Sequence, residues 1–211
     1  MTLALLSIFA LSACGDRTSG EHTDVDAMPH ADAASHGAHH DGNHEDMHAD
    51  GAARTDGAAA PMTDLPPAVA TPWGEATEAY LAGKDALTRG EHADATLAAS
   101  RLADAIDRAD MAAMDESHDA WMEVAPGLAE RARAMAQTAS IEAARERLPE
   151  LTEALIAGVE RFGAGGRELF VQHCPMAFDN AGADWVSADR EVRNPYFGEA
   201  MMTCGRVTRE L

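Results

Sequence analysis

The chain has 211 residues and a formal charge of −20, enough for one domain of ordinary size plus extensions. Lys84 is its one lysine and the other fifteen basic residues are arginines. So acidic a chain is repelled by phosphate backbones and anionic surfaces, which excludes nucleic acid as a partner and favours cations, while few aromatics and abundant alanine favour helices over a β-sandwich.

Residues 3 to 13 form an apolar run ending in Leu11-Ser12-Ala13, immediately before Cys14. The run is too short for a mature transmembrane helix and suits the apolar core of a signal peptide. Leu-Ser-Ala-Cys resembles the lipobox of bacterial lipoproteins, which implies that residues 1–14 are a lipoprotein signal with Cys14 as the lipidated residue. The expected location is the cell envelope, lipid-anchored and facing the periplasm. Gly15, with Asp16 only after it, leans towards the outer membrane. Lipidation of Cys14 leaves Cys174 and Cys204 as an even pair in an oxidising compartment.

Residues 15–70 are rich in Ala, Asp, Gly, Ser and His and show no apolar periodicity, as in a disordered tether. The tether holds seven of the ten histidines: His22, His30, His36, His39, His40, His44 and His48. Met28, Met47 and several carboxylates lie among them. Imidazole suits copper, zinc and nickel, so His36, His39, His40, His44 and His48 are candidate ligands for Cu(II) or Zn(II). The alternative is an acidic spacer that only keeps the chain soluble.

A helical region is predicted over 71–162. Thr71 can cap the first helix and Pro72 can occupy its first position. Trp73, Ala76, Tyr80, Leu81, Lys84 and Leu87 follow at three- and four-residue steps, and Gly90 ends the helix. A second helix is predicted over 92–109. A third, over 114–138, contains Pro126-Gly127, which should kink or break it. The fourth, over 140–161, has the clearest stripe: Ile141, Ala144, Leu148, Leu151, Leu155, Val159 and Phe162. Ser140 is its N-cap, and Pro149 predicts a bend. The expected fold is mainly α, an antiparallel four-helix bundle carrying a small irregular C-terminal appendage of short strands and turns over 163–211. Strands are predicted at Leu169-Phe170-Val171 and Asp184-Trp185-Val186-Ser187. The appendage should pack on the helices through Phe170, Phe178, Trp185, Tyr196 and Phe197.

The appendage concentrates sulfur. Cys174 and Met176 share a face if their segment is extended, and Met201 and Cys204 share one on a helical turn. Thiolate and thioether together suit Cu(I), and His173 adds a borderline donor. Equally open is a disulfide between Cys174 and Cys204, with the methionines as packing. His92 and His118 stand alone. No acid/base pair, nucleophile elbow, phosphate loop or haem-attachment motif is present, so the chain is not read as an enzyme.

Four motifs occur in order: His173-Cys174-Pro175-Met176-Ala177, Gly182-Ala183-Asp184-Trp185-Val186-Ser187, Asn194-Pro195-Tyr196-Phe197-Gly198 and Met201-Met202-Thr203-Cys204-Gly205. They resemble the tail of an uncharacterised bacterial envelope family, domain of unknown function 3347. That family is also found C-terminal to periplasmic adaptor subunits of heavy-metal efflux pumps. Tyr80-Leu81 and Lys84-Asp85-Ala86-Leu87 resemble its first helix, and Arg145, Leu148, Leu151 and Thr152 a later one, so the resemblance spans roughly 73 to 208. It implies a helical bundle, an association with copper and related metals, and a heavy-metal efflux complex as partner. Cys174, Met176, Met201 and Cys204 fall on the family's sulfur positions, while Met202 stands where leucine is usual. The expected function is an envelope lipoprotein binding heavy-metal ions, copper foremost. The alternative is a structural or adaptor lipoprotein whose cysteines are a staple.

Overall fold

In the computed structural model residues 61–62 and 64–211 are described. Cys14 and all seven tether histidines lie outside them. Helix α1 runs from Pro67 to Arg89, so the helical part begins four residues before the expected boundary. Pro67, not Pro72, takes the first helical position, with Pro66 as cap. The physical reason is the expected one, since the missing N–H of proline costs nothing there. Gly90 ends the helix in the left-handed conformation, φ 77°, as a residue without Cβ can.

Helix α2 covers His92–Asp107. Two 3-10 turns, Met111–Ala113 and Asp115–Ser117, precede α3, His118–Ala136. Residues 114–117, expected as helix, therefore belong to a tighter connection. Of the expected kink or break at Pro126-Gly127, the break does not occur: α3 continues through it. Ala125, Leu128, Ala129 and Ala132 are buried on both sides of the proline, and that burial outweighs the lost backbone hydrogen bond, a cost of about 3 kcal/mol. Helix α4 spans Ile141–Phe162 and likewise runs through Pro149. Ser140 caps it, its hydroxyl accepting the Ala143 N–H at 3.2 Å.

Successive helices pack against one another, and α4 returns to α1. The seam between α1 and α4 is set by Trp73. Its indole Nε1 donates to the Gly163 carbonyl at 2.8 Å, and its ring lies on Gly158, where a Cβ would come within 2.1 Å of it. Phe162 lies between Trp73 and Trp121, with ring centroids 5.3 and 5.8 Å away. Arg145 of α4 reaches across, its Nη2 donating to the Leu87 carbonyl at 3.0 Å and its Nε to the Pro195 carbonyl at 2.9 Å.

The appendage is more regular than expected. Strands β1 (Phe170–Cys174), β2 (Ala183–Ser187) and β3 (Arg206–Glu210) form an antiparallel sheet in the order β2-β1-β3. Strand β3 is polar and largely exposed, so it carries no apolar alternation by which to recognise it. The free edge of β2 is closed by the chain's two tyrosines: Val186 N–H donates to the Tyr80 hydroxyl at 3.1 Å, and the Tyr196 hydroxyl donates to the Asp184 carbonyl. An edge so covered offers no ladder to another chain. Phe170, Trp185 and Tyr196 are buried as expected, and Phe197 partly. Phe178 is not: it is 40% exposed. Phe178, Asp179 and Asn180 have φ of 51, 54 and 71°, a left-handed turn that brings the Phe178 ring edge-on to Tyr196 instead of into the core.

Candidate functional site

Strand β1 delivers Cys174 to the interior, where it is fully buried. Cys204 comes from the other side, on the turn that follows the 3-10 helix Gly198–Met201. Thirty residues apart in sequence, their Sγ atoms stand 2.9 Å from each other, both as free thiols. Cys204 is half-buried. The Cys174 sulfur beside it and partial burial push its thiol up, while a hydrogen bond from the Met176 backbone works the other way.

Two devices hold Cys204 against β1. Gly205, at φ 142°, passes so close that a Cβ there would lie 2.8 Å from the His173 carbonyl oxygen and 2.9 Å from Trp185. Asn194, wholly buried, donates from Nδ2 to the Cys204 carbonyl at 2.7 Å. Its Oδ1 accepts the backbone N–H groups of Tyr196 and Phe197 at 2.8 and 3.3 Å, and its own N–H donates to the Met202 carbonyl at 2.7 Å. The Asn-Pro-Tyr motif thus anchors the second cysteine to the loop before it.

The methionines divide. Met201 and Cys204 lie across one helical turn, Cys204 N–H donating to the Met201 carbonyl at 3.1 Å, as the spacing predicted. Met176 does not share a strand face with Cys174. Strand β1 ends at Cys174, and Met176 follows in a turn with helical φ and ψ. Its side chain is 48% exposed, while its backbone hydrogen-bonds to Cys204.

His173 precedes Cys174 in the strand, so the two side chains take opposite faces. Its Nδ1 pairs with Asp184 Oδ1 at 2.7 Å, directly across the ladder, and its ring packs on Gly182. The structure therefore orients His173 through Asp184 and not through the sulfurs. Of the isolated histidines, His92 faces Thr138 and His118 faces Asp119. Among the described residues, no group of three or more His, Cys, Asp or Glu side chains stands together. Nor, among them, is any helix long and apolar enough to cross a membrane.

Sequence reasoning named the sulfur residues and missed what positions them. Asn194 enters the sequence reading only within the motif Asn194-Pro195-Tyr196-Phe197-Gly198, although its buried carboxamide, with three hydrogen-bond partners, is the fixed point of this loop. The one available signal was its place before Pro195, which favours extended backbone at Asn194 and turn initiation.

No curated protein and no solved structure matches the chain. One family model does, described as a protein of unknown function (DUF3347), over residues 76–166. The match takes in the helices from within α1 to the glycine-rich break after α4 and stops before the tail motifs at 173–205. Residues 76–166 of this chain are therefore similar to that family.

Proposed function

We propose that the protein is a non-enzymatic envelope lipoprotein that binds heavy-metal ions, copper foremost, for buffering, tolerance or hand-over to an efflux complex. The observation that supports this reading is the 2.9 Å approach of the Cys174 and Cys204 sulfurs. Two converging thiolates suit Cu(I), a soft ion content with few ligands, and Met176 and Met201, two and three residues from them in sequence, are candidate thioether donors. In this reading α1 to α4 form an antiparallel four-helix bundle that carries the site. Cys14 tethers the chain to the membrane, with the outer membrane favoured. The histidines of the tether, His36, His39, His40, His44 and His48 above all, collect Cu(II) or Zn(II), which imidazole suits as a donor.

Thiol counting under anaerobic conditions tests the sulfur site. Two free thiols that become protected from alkylation on adding one equivalent of Cu(I) support it. A quantitative disulfide in protein isolated from the envelope and indifferent to copper refutes it. The tether is tested separately by deleting residues 22–48, which should abolish most Cu(II) or Zn(II) uptake.

The same distance favours one other reading. Sulfurs this close need little movement to become a disulfide, which closes a thirty-residue loop and stabilises the fold by about 3–4 kcal/mol on the chain-entropy model. The protein is then a structural or adaptor lipoprotein, its helices docking a partner. Thiol counting separates the two.

A further inference from the structure

The loop that carries Cys204 is held by one buried polar side chain. Asn194 has no exposed surface, yet all its side-chain hydrogen bonds serve the loop that carries Cys204. Oδ1 holds the turn at Tyr196 and Phe197, and Nδ2 holds the carbonyl of Cys204 itself. The backbone bond from Asn194 N to Met202 O fixes the intervening turn from the opposite side. No other side-chain hydrogen bond among the described residues ends on the backbone of either cysteine. Cys174 has the β1 ladder to keep it in place. Cys204 stands before the first residue of β3, on a turn outside any ladder.

We propose that Asn194 is the positioning residue of the thiol pair, setting the approach of Cys204 to Cys174 through its carboxamide. The inference rests on the reading that the two cysteines act together, and it holds whether they act on a metal ion or on each other. The donor half of the amide is the discriminating part. An acceptor alone keeps the Tyr196 and Phe197 turn. Only a donor at Nδ2 satisfies the Cys204 carbonyl, which is otherwise left without this partner next to a buried oxygen or a void.

Two variants separate these roles. Asn194→Asp is nearly isosteric and keeps the acceptor oxygen, but it sets an oxygen against the Cys204 carbonyl. Asn194→Ser can cap the same turn with its hydroxyl but is too short to reach Cys204. The readout is the position of the equilibrium in a glutathione buffer. One oxidised glutathione takes the two thiol hydrogens and the bond electrons, leaving a Cys174–Cys204 disulfide and two reduced glutathiones. Trapping by alkylation and mass spectrometry gives the ratio. The expected result is a fall of roughly three- to ten-fold in the disulfide-to-dithiol ratio for both variants, the scale of one buried hydrogen bond. The helical circular dichroism of the reduced proteins should stay that of the native chain. A wild-type ratio in Asn194→Asp overturns the proposal, because the donor bond is then irrelevant. A loss in Asn194→Asp with a wild-type ratio in Asn194→Ser overturns it too, by assigning the effect to the introduced charge. Should Asn194→Asp fail to fold, Asn194→Ser decides alone by the same ratio. Because this equilibrium involves no metal, a protein that ignores Cu(I) yet shows the expected ratios refutes the copper reading and keeps the role of Asn194.

Discussion

The Tyr80 hydroxyl, on the first helix, accepts the backbone N–H of Val186 on the outer edge of the sheet at 3.1 Å. The same hydroxyl shares a 2.6 Å hydrogen bond with Thr152 of α4. One oxygen thus ties α1, α4 and β2 together in a dry environment, where its own bonds are strong and their loss is costly. Replacing Tyr80 by phenylalanine preserves the ring and strands the Val186 N–H. The expected loss is about 1–3 kcal/mol, read as a lower urea midpoint with an unchanged slope. An unaltered midpoint would show that water replaces the hydroxyl.

Alkaline pH tests the same contact. Burial holds the Tyr80 phenol neutral and raises it to about 12, whereas in the unfolded chain it ionises near 10 (~10). Below that value both states keep the proton and the full stability is present. Between about 10 and 12 the unfolded state releases a proton that the folded state retains, so stability falls as pH rises through this window, by on the order of 3 kcal/mol from this group. Tyr196 is shifted in the same direction, mainly by burial, and deepens the loss. Urea midpoints measured up to about pH 11.5 should decline, and Tyr80→Phe should flatten part of the decline.

Gly158 lies inside α4, where alanine would ordinarily gain up to about 1 kcal/mol. Here its Cβ would fall 2.1 Å from the Trp73 ring, and the indole is held in place by the Gly163 carbonyl. Gly158→Ala is therefore expected to destabilise by about 1–3 kcal/mol through overpacking. That corresponds to a melting temperature lower by roughly 2–4 °C per kcal/mol. A smaller residue at 73 should recover part of the loss, and a more stable Gly158→Ala protein would mean the seam is slack.

The thioethers predict a division between binding and folding. Met176 is half exposed, so Met176→Leu should leave the metal-free protein within about 0.5 kcal/mol of wild type. On the copper reading it should weaken Cu(I) binding on the order of ten-fold, the scale on which losing a supporting group weakens a metal site. Met201→Leu, one turn before Cys204, should act alike. Competition with a chromophoric Cu(I) chelator measures both. Equal affinities in wild type and the double variant would assign these residues to packing and leave the cysteines alone as ligands.

The helices were legible because their signals are local. The stripe from Ala144 to Phe162 is buried along its length, Ser140 caps α4 and Gly90 closes α1. Local signals also misled. Pro72 suggested a start and Pro126 a kink or break, yet Pro72 lies inside α1 and no break occurs at Pro126, because a buried face on both sides of a proline outweighs one missing bond. Strand β3 escaped notice because its sequence is polar, and its partner β1 determines its place.

By itself the sequence determined which donors the molecule owns: two cysteines and their neighbouring methionines in the tail, and histidines gathered upstream of the helices. It also determined the helical periodicity, since a 3.6-residue repeat is written in consecutive residues. Only the tertiary structure decided that Cys174 and Cys204 meet, that Met176 turns outward and that His173 faces Asp184. Those outcomes depend on a sheet whose strands are joined across thirty residues, on a glycine that lets Cys204 approach, and on one buried carboxamide. Long-range closure of this kind follows from the burial of many groups at once, and no short segment of the chain carries it.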